Sequence, residues 1–299
     1  MQIGIAGHGV VGAALARFLR RGGNSIAIYD KYVQEHSSAA AFDALQRCDL
    51  VFVAVPTPFD AARGVGDASA VRELVERLTV PLCIKSTVPP GTIDSLIATT
   101  GKPIAYSPEY MGESPQHPYR EVDAAGFVIY AGSPIACRLV RRAYETCSPA
   151  TLRFIETTPA TAELVKYMEN AFLATKVSFV NQFYDLAVAA NVDFEELRAV
   201  FLMDPRAGES HTEVHPDRGF AGKCLPKDLE TLVGWARGRV NADFLTSLLA
   251  YNRVIRARAP SPSSGPQAAS SCDGEASSHA DPSARDEVRR GEALGAGGI

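Results

Sequence analysis

The residues best placed to do chemistry fall into five short clusters. Gly219-Phe220-Ala221-Gly222-Lys223-Cys224-Leu225-Pro226-Lys227-Asp228 sets a thiol between a glycine-rich turn and a predicted helix start, with Pro226 near the first helical position. A helix N-terminus and nearby lysines lower a thiol's pKa and enrich the nucleophilic thiolate. Glu163, Lys166 and Asn170 follow i, i+3, i+7 spacing, so Lys166 and Asn170 project from one helix face, one turn apart. Ser107-Pro108-Glu109-Tyr110-Met111-Gly112-Glu113 follows a predicted strand and brings two carboxylates into one loop. Lys85-Ser86-Thr87-Val88-Pro89-Pro90-Gly91-Thr92 follows another, which puts its hydroxyls at the strand's C-terminal end, where open α/β sheets bind ligands. As single residues these also fit plain structural roles: Thr87 as a helix cap, Glu109 and Glu113 as solvated loop charges, Lys166 and Asn170 as an exposed face, Cys224 as a small apolar core residue.

The fifth cluster is Gly7-His8-Gly9-Val10-Val11-Gly12, between a predicted strand and a predicted helix. The first glycine permits a tight turn, the second lets backbone approach a pyrophosphate, and the third lets helix and strand pack closely. The phosphates would sit at the helix N-terminus, against Val10 and Val11. Asp30 ends the next predicted strand, 18 residues after Gly12, where a carboxylate bonds ribose hydroxyls and repels a 2′-phosphate. This favours NAD over NADP, although Lys31 softens the rejection.

These clusters need a scaffold. Apolar runs at Gln2–Ala6, Ser25–Tyr29, Leu50–Val55, Leu82–Lys85, Pro103–Tyr106 and Phe127–Tyr130 alternate with helical patterns such as Val10–Arg21 and Ser69–Leu78. That alternation predicts βαβ units and a Rossmann-type parallel sheet over residues 1–156. Residues 157–258 read as all-α: one helix over Pro159–Ala190, then Asp193–Phe201, Lys227–Arg237 and Ala242–Arg256. The first would be about 45 Å long, more than one small domain covers, which predicts packing against another domain or subunit. In residues 259–299, 26 of 41 are Ala, Ser, Gly or Pro, a composition that predicts disorder.

Composition bounds the function. The 299 residues are 46% apolar, and 30 basic against 34 acidic residues leave a net charge of −4, with no basic field to attract nucleic acid. No stretch approaches the roughly 18 uncharged apolar residues of a membrane span. The glycine-rich N-terminus is unlike a signal peptide, so the expectation is a soluble cytoplasmic protein. Six cysteines without a CxxC pair argue against a disulfide framework or zinc ribbon. His211 and His215, four apart in a turn-rich stretch before Pro216, are not expected to bind metal. Trp235 is expected to pack in a core or interface.

Taken together, the clusters resemble the UDP-glucose/GDP-mannose dehydrogenase family over about residues 1–256. The resemblance is carried by the glycine turn, V-x-V-P-T-P at Val53–Pro58, K-S-T-V-P-P-G-T, S-P-E-x-x-x-E, A-E-L-V-K-x-x-x-N, D-P-R-x-G at Asp204–Gly208, and G-x-x-G-K-C-L-P-K-D. It implies oxidation of a sugar-nucleotide primary alcohol to a carboxylate with two NAD and one water, UDP-glucose ahead of GDP-mannose. By resemblance, Cys224 is the nucleophile that carries a thiohemiacetal and then a thioester, and Lys166 with Asn170 stabilises charge on the C6 oxygen. Asp228 and Thr87 orient water, and Glu109 is the acid/base candidate. Pro56, Thr57, Thr87 and Glu113 join the glycine turn and Asp30 at the cofactor. Tyr110, Gly219 and Lys227 join Glu109, Lys166 and Asn170 at the substrate, and Arg206 reaches it from the second subunit of a homodimer built on the 159–190 helix.

Two departures qualify the match. Ala221 stands where the family usually has glycine, which strains the loop if that position needs a positive φ. The family usually continues past Arg258 into a second Rossmann-like domain that holds the nucleotide, and the residues beyond do not continue that pattern. The expectation is therefore NAD binding and dimerisation with weak or absent turnover. The competing readings are a non-catalytic NAD-binding, dimerising remnant and a β-hydroxyacid dehydrogenase-like enzyme that uses Lys166 and Asn170 without thiol chemistry.

Overall fold

Buried aliphatic strands form the centre of the molecule, and their order decides where a ligand can sit. The structure, a computed structural model, describes residues 1–112 and 119–258, which fall within one compact unit, Met1–Ser261. Glu113 and the 259–299 tail lie outside the described residues. In chain order the elements are β1 (Gln2–Ala6), α1 (Val10–Arg21), β2 (Ser25–Tyr29), α2 (Ala39–Leu45), β3 (Leu50–Val53), β4 (Phe59–Asp60), β5 (Val65–Gly66), α3 (Ser69–Arg77), β6 (Leu82–Ile84), α4 (Thr92–Thr100), β7 (Ile104–Tyr106), β8 (Phe127–Gly132), α5 (Pro134–Glu145) and β9 (Arg153–Thr157). Four more helices follow: α6 (Pro159–Ala189), α7 (Phe194–Phe201), α8 (Leu225–Ala236) and α9 (Asp243–Arg258).

The main sheet has the order β2-β1-β3-β6-β7-β8-β9. β2 and β3 flank β1 in parallel, so the order reverses there, and the crevice at the C-terminal ends of these strands is the expected ligand position. One feature departs from the parallel sheet expected: β8 runs antiparallel to β7, because no crossover helix is described between them to return the chain to the same edge. β9 then continues parallel to β8. β4 and β5 form a separate small hairpin.

Each face of the sheet has its own core. One is built around Leu15, Phe18, Leu19, Phe52, Val140 and Tyr144, the other around Val53, Val71, Val75, Ile84, Ile93 and Tyr106. A third core lies among the helices that follow the sheet, where Ala171 and Ala174 of α6 meet Phe220, Leu229, Leu248 and Leu249. Helix starts follow local chemistry: Thr158 caps α6 with Pro159 next, and the Asp193 carboxylate caps α7. No described helix is long and apolar enough to cross a membrane.

α4 begins at Gly91, which has no side chain to cap it. The cap comes from a distance: the fully buried Glu163 carboxylate of α6 accepts N–H groups of Gly91 at 2.6 Å and Ile93 at 2.9 Å. Burial raises the Glu163 pKa, against the lowering effect of those backbone bonds. This contact pins the start of the long helix to the sheet. Glu163→Ala is expected to lower stability in urea by about 2–4 kcal/mol, since it orphans buried donors. Glu163→Gln, which keeps an acceptor oxygen, is expected to lose less.

Candidate active site

At the β1–α1 turn, Gly7 has φ +97°, and a Cβ there would lie 2.4 Å from the Ala54 carbonyl oxygen. A Cβ on Gly12 would meet the Gly7 oxygen at 1.9 Å, whereas one on Gly9 would meet nothing within 4 Å. The outer two glycines are thus required for packing, and the middle one faces open space, as a backbone approached by a pyrophosphate must. No side chain caps the N-terminus of α1, which leaves its first N–H groups, at Val10 and Val11, for an anion. The Asp30 carboxylate is fixed by N–H groups of His8 at 2.6 Å, Tyr32 at 2.8 Å and Val33 at 3.2 Å. A cavity of about 380 Å³ opens beside it, with Gly7, Tyr29, Asp30, Pro56 and Glu73 in its wall. These features fit the adenosine half of a dinucleotide.

The ends of β3 and β6 are tied together next to this crevice. The Thr57 hydroxyl donates to the Thr87 carbonyl at 2.7 Å, and the Ser86 hydroxyl to the Val55 carbonyl at the same distance. Trp235 of α8 donates its indole N–H to the Pro90 carbonyl, so the thiol-bearing helix rests on this loop.

Cys224 is exposed and occupies the N-cap position of α8. One turn on, Asp228 is 1% exposed, and its carboxylate accepts the Asn170 Nδ2–H at 2.5 Å and pairs with the Lys227 ammonium. Asn170 of α6 therefore meets the cysteine helix directly. Lys166, one turn before it, is mostly buried, pairs with Glu169 at 2.9 Å and lies 4.6 Å from the centre of the Tyr110 ring. Its hydrogen bond goes to Glu169 rather than Asn170.

Glu109, next to Tyr110 in the chain, has other partners. Its Oε1 accepts the N–H groups of Tyr110 and Met111, both at 2.9 Å, and its Oε2 lies 3.3 Å from the buried Lys85 ammonium. Lys85 also reaches the Tyr144 hydroxyl at 3.2 Å. Burial alone would lower the Lys85 pKa, and the adjacent Glu109 carboxylate outweighs it, holding the amine well above its usual value. Arg206 is exposed and bonds the Asp204 carboxylate through both Nε and Nη2.

The loop before Cys224 is held by residues that the sequence reading did not select. Arg218 (φ +55°) donates from Nε to the Asn181 side-chain oxygen at 2.7 Å and from Nη2 to Asp185 at 2.7 Å. Gly219 N–H donates to Asn181, and Phe220 exchanges two hydrogen bonds with Asn252 of α9. Polar residues at 181 and 252 within otherwise apolar helical patterns were the available signal. Ala221 is not strained, because the positive φ angles fall on Arg218, Gly219 and Gly222. Among the described residues there is no cluster of His, Cys, Asp or Glu suited to a metal.

Residues 160–254 match the central domain of the UDP-glucose/GDP-mannose dehydrogenase family. The chain is similar to the UDP-glucose 6-dehydrogenase of Rickettsia prowazekii, at 28% identity over 69% of this chain and 49% of that protein. Its similarity to the UDP-glucose 6-dehydrogenase of Pseudomonas aeruginosa is 31% over 66% of this chain and 46% of that protein. The chain spans about half the length of these curated relatives. A UDP-glucose dehydrogenase structure from Pyrobaculum islandicum shares the fold with a TM-score of 0.69 at 23% identity, covering 85% of this chain and 68% of that one.

Burial pushes the thiols of Cys48 and Cys137 up to about 11 and that of Cys83 up to about 12, which keeps them protonated at pH 8. Brief iodoacetamide treatment at pH 8, read by peptide mass spectrometry, is expected to modify Cys224 well before these three. Equal rates at Cys83 and Cys224 would contradict the placement.

Proposed function

We propose that this chain, whose residues 160–254 match the central domain of the UDP-glucose/GDP-mannose dehydrogenase family, oxidises the C6 alcohol of a sugar nucleotide to the carboxylate with NAD. UDP-glucose is the preferred substrate in this reading and GDP-mannose the second. The observation that carries it is an exposed thiol at a helix N-terminus, one turn from a buried carboxylate bonded to the helix that bears Lys166. NAD, when bound along the glycine turn with its ribose at Asp30, supplies the hydride acceptor for both oxidations.

The chain's own groups account for the rest. The Cys224 thiolate adds to the C6 aldehyde carbon, and this covalent link retains the carbon through the thioester level until water releases the acid. The α8 N-terminus favours the negative charge on sulfur. Lys166 faces the developing charge on the C6 oxygen, and Asn170 with Asp228 fixes the geometry between the two helices. Thr87 and Asp228 are the groups for placing water, and Glu109 is the acid/base candidate. On α6, Leu164, Met168, Phe172, Phe179 and Phe183 form an exposed apolar stripe along one face, which supports pairing with a second copy.

The test is NADH formation by the purified, reduced protein with UDP-glucose and with GDP-mannose. Any turnover by the wild type is expected to be slow and to give two NADH per acid formed, and Cys224→Ser is expected to form no acid. Acid formation by that variant would overturn the thiol mechanism. NAD binding without any turnover would overturn the catalytic reading in favour of a binding role.

A further inference from the structure

Beyond Asp30, the adenosine cavity has a second charged wall. Glu73 and Arg77 lie four apart on α3, and Lys31 follows Asp30 directly. All three line the cavity. The Arg77 guanidinium donates to Glu73 Oε1 at 3.0 Å, and the Lys31 ammonium lies 3.8 Å from Glu73 Oε2. Arg77 also stacks 4.0 Å from the Phe42 ring centre, which fixes its head group at the cavity edge. Among the described residues, the two cations in the wall, Lys31 and Arg77, are therefore both engaged by one carboxylate.

A 2′-phosphate is recognised by Lys and Arg near the ribose, and a free 2′-hydroxyl by a carboxylate. Asp30 supplies the carboxylate, held by three backbone N–H groups. Lys31 and Arg77 are the two side chains that could receive a phosphate. With Glu73 present, the charges of these four residues cancel. Without it, the wall carries a net positive charge and two released donors.

We propose that Glu73 is a specificity-determining residue for the dinucleotide, which keeps the cavity selective for NAD by occupying Lys31 and Arg77. This rests on the cofactor reading above and extends it: Asp30 alone does not set the preference. Glu73 acts through the two cations, so its removal matters only while they remain.

The experiment is calorimetric titration of the purified, reduced chain with NAD and with NADP, comparing wild type, Glu73→Gln, and Glu73→Gln combined with Lys31→Ala. Glu73 is about half exposed, so the neutral amide is compatible with folding. The ratio of the NADP to the NAD dissociation constant is expected to fall at least about fivefold in Glu73→Gln, the effect of one unit charge near a phosphate at moderate ionic strength. Adding Lys31→Ala is expected to return the ratio toward the wild-type value. A ratio unchanged in Glu73→Gln, with NAD still bound by the wild type, would overturn this inference alone. A wild type that binds neither dinucleotide would overturn the cofactor reading itself.

Discussion

The hydrogen bond from Asn170 to the buried Asp228 carboxylate joins the two helices on which the site is built. A carboxylate that is 1% exposed is costly to bury without partners, and here it has the Asn170 amide, the Lys227 ammonium and a place in the first turn of α8, where the helix dipole favours negative charge. The same contact sets the distance between α6 and the start of α8, and so between Lys166 and Cys224. Glu163, seven residues earlier on α6, fixes that helix to the sheet by capping α4. Two buried polar contacts on one helix thus link the ends of the sheet strands to the thiol.

A second set of contacts holds the thiol loop from the other side. Arg218 and Gly219 are consecutive left-handed residues, a conformation costly for arginine, and Asn181, Asp185 and Asn252 stabilise it with hydrogen bonds from α6 and α9. The loop that bears Tyr110 is fixed separately, by the Lys85–Glu109 pair. Tyr110 leans over Lys166, so this buried pair also orients the face of the amine that a substrate would meet.

Much of the sheet half was legible in the sequence. β1, α1 and β2 occupy the predicted spans, because the glycine turn marks their junctions and the buried strands are short apolar runs. β9 was missed because Arg153-Phe154-Ile155-Glu156-Thr157 is a mostly exposed edge strand with no apolar run. The two-residue strands β4 and β5 are too short to leave a pattern. α4 has only a weak apolar period and went unread, whereas α5 was overlooked although its buried Ala136, Cys137, Val140, Ala143 and Tyr144 recur at helical spacing. At the site, residue types and motif order pointed to Cys224, Lys166, Asn170 and Asp228. The partners could not be read, because Asn170 and Asp228 are 58 residues apart and Lys85 and Glu109 meet only when β6 and β7 pair. Lys166 and Asn170 do share a helix face, but the amine's hydrogen bond goes to its i+3 neighbour Glu169.

The most direct test of this account is a double-mutant cycle on Asn170→Ala and Asp228→Ala, read as unfolding free energy in urea. If the buried bond holds the two helices together, the two losses are expected to be non-additive, with a coupling of about 1.5–3 kcal/mol. Additivity within about 0.5 kcal/mol would contradict it, and would mean that α6 and the cysteine helix are placed independently of this contact.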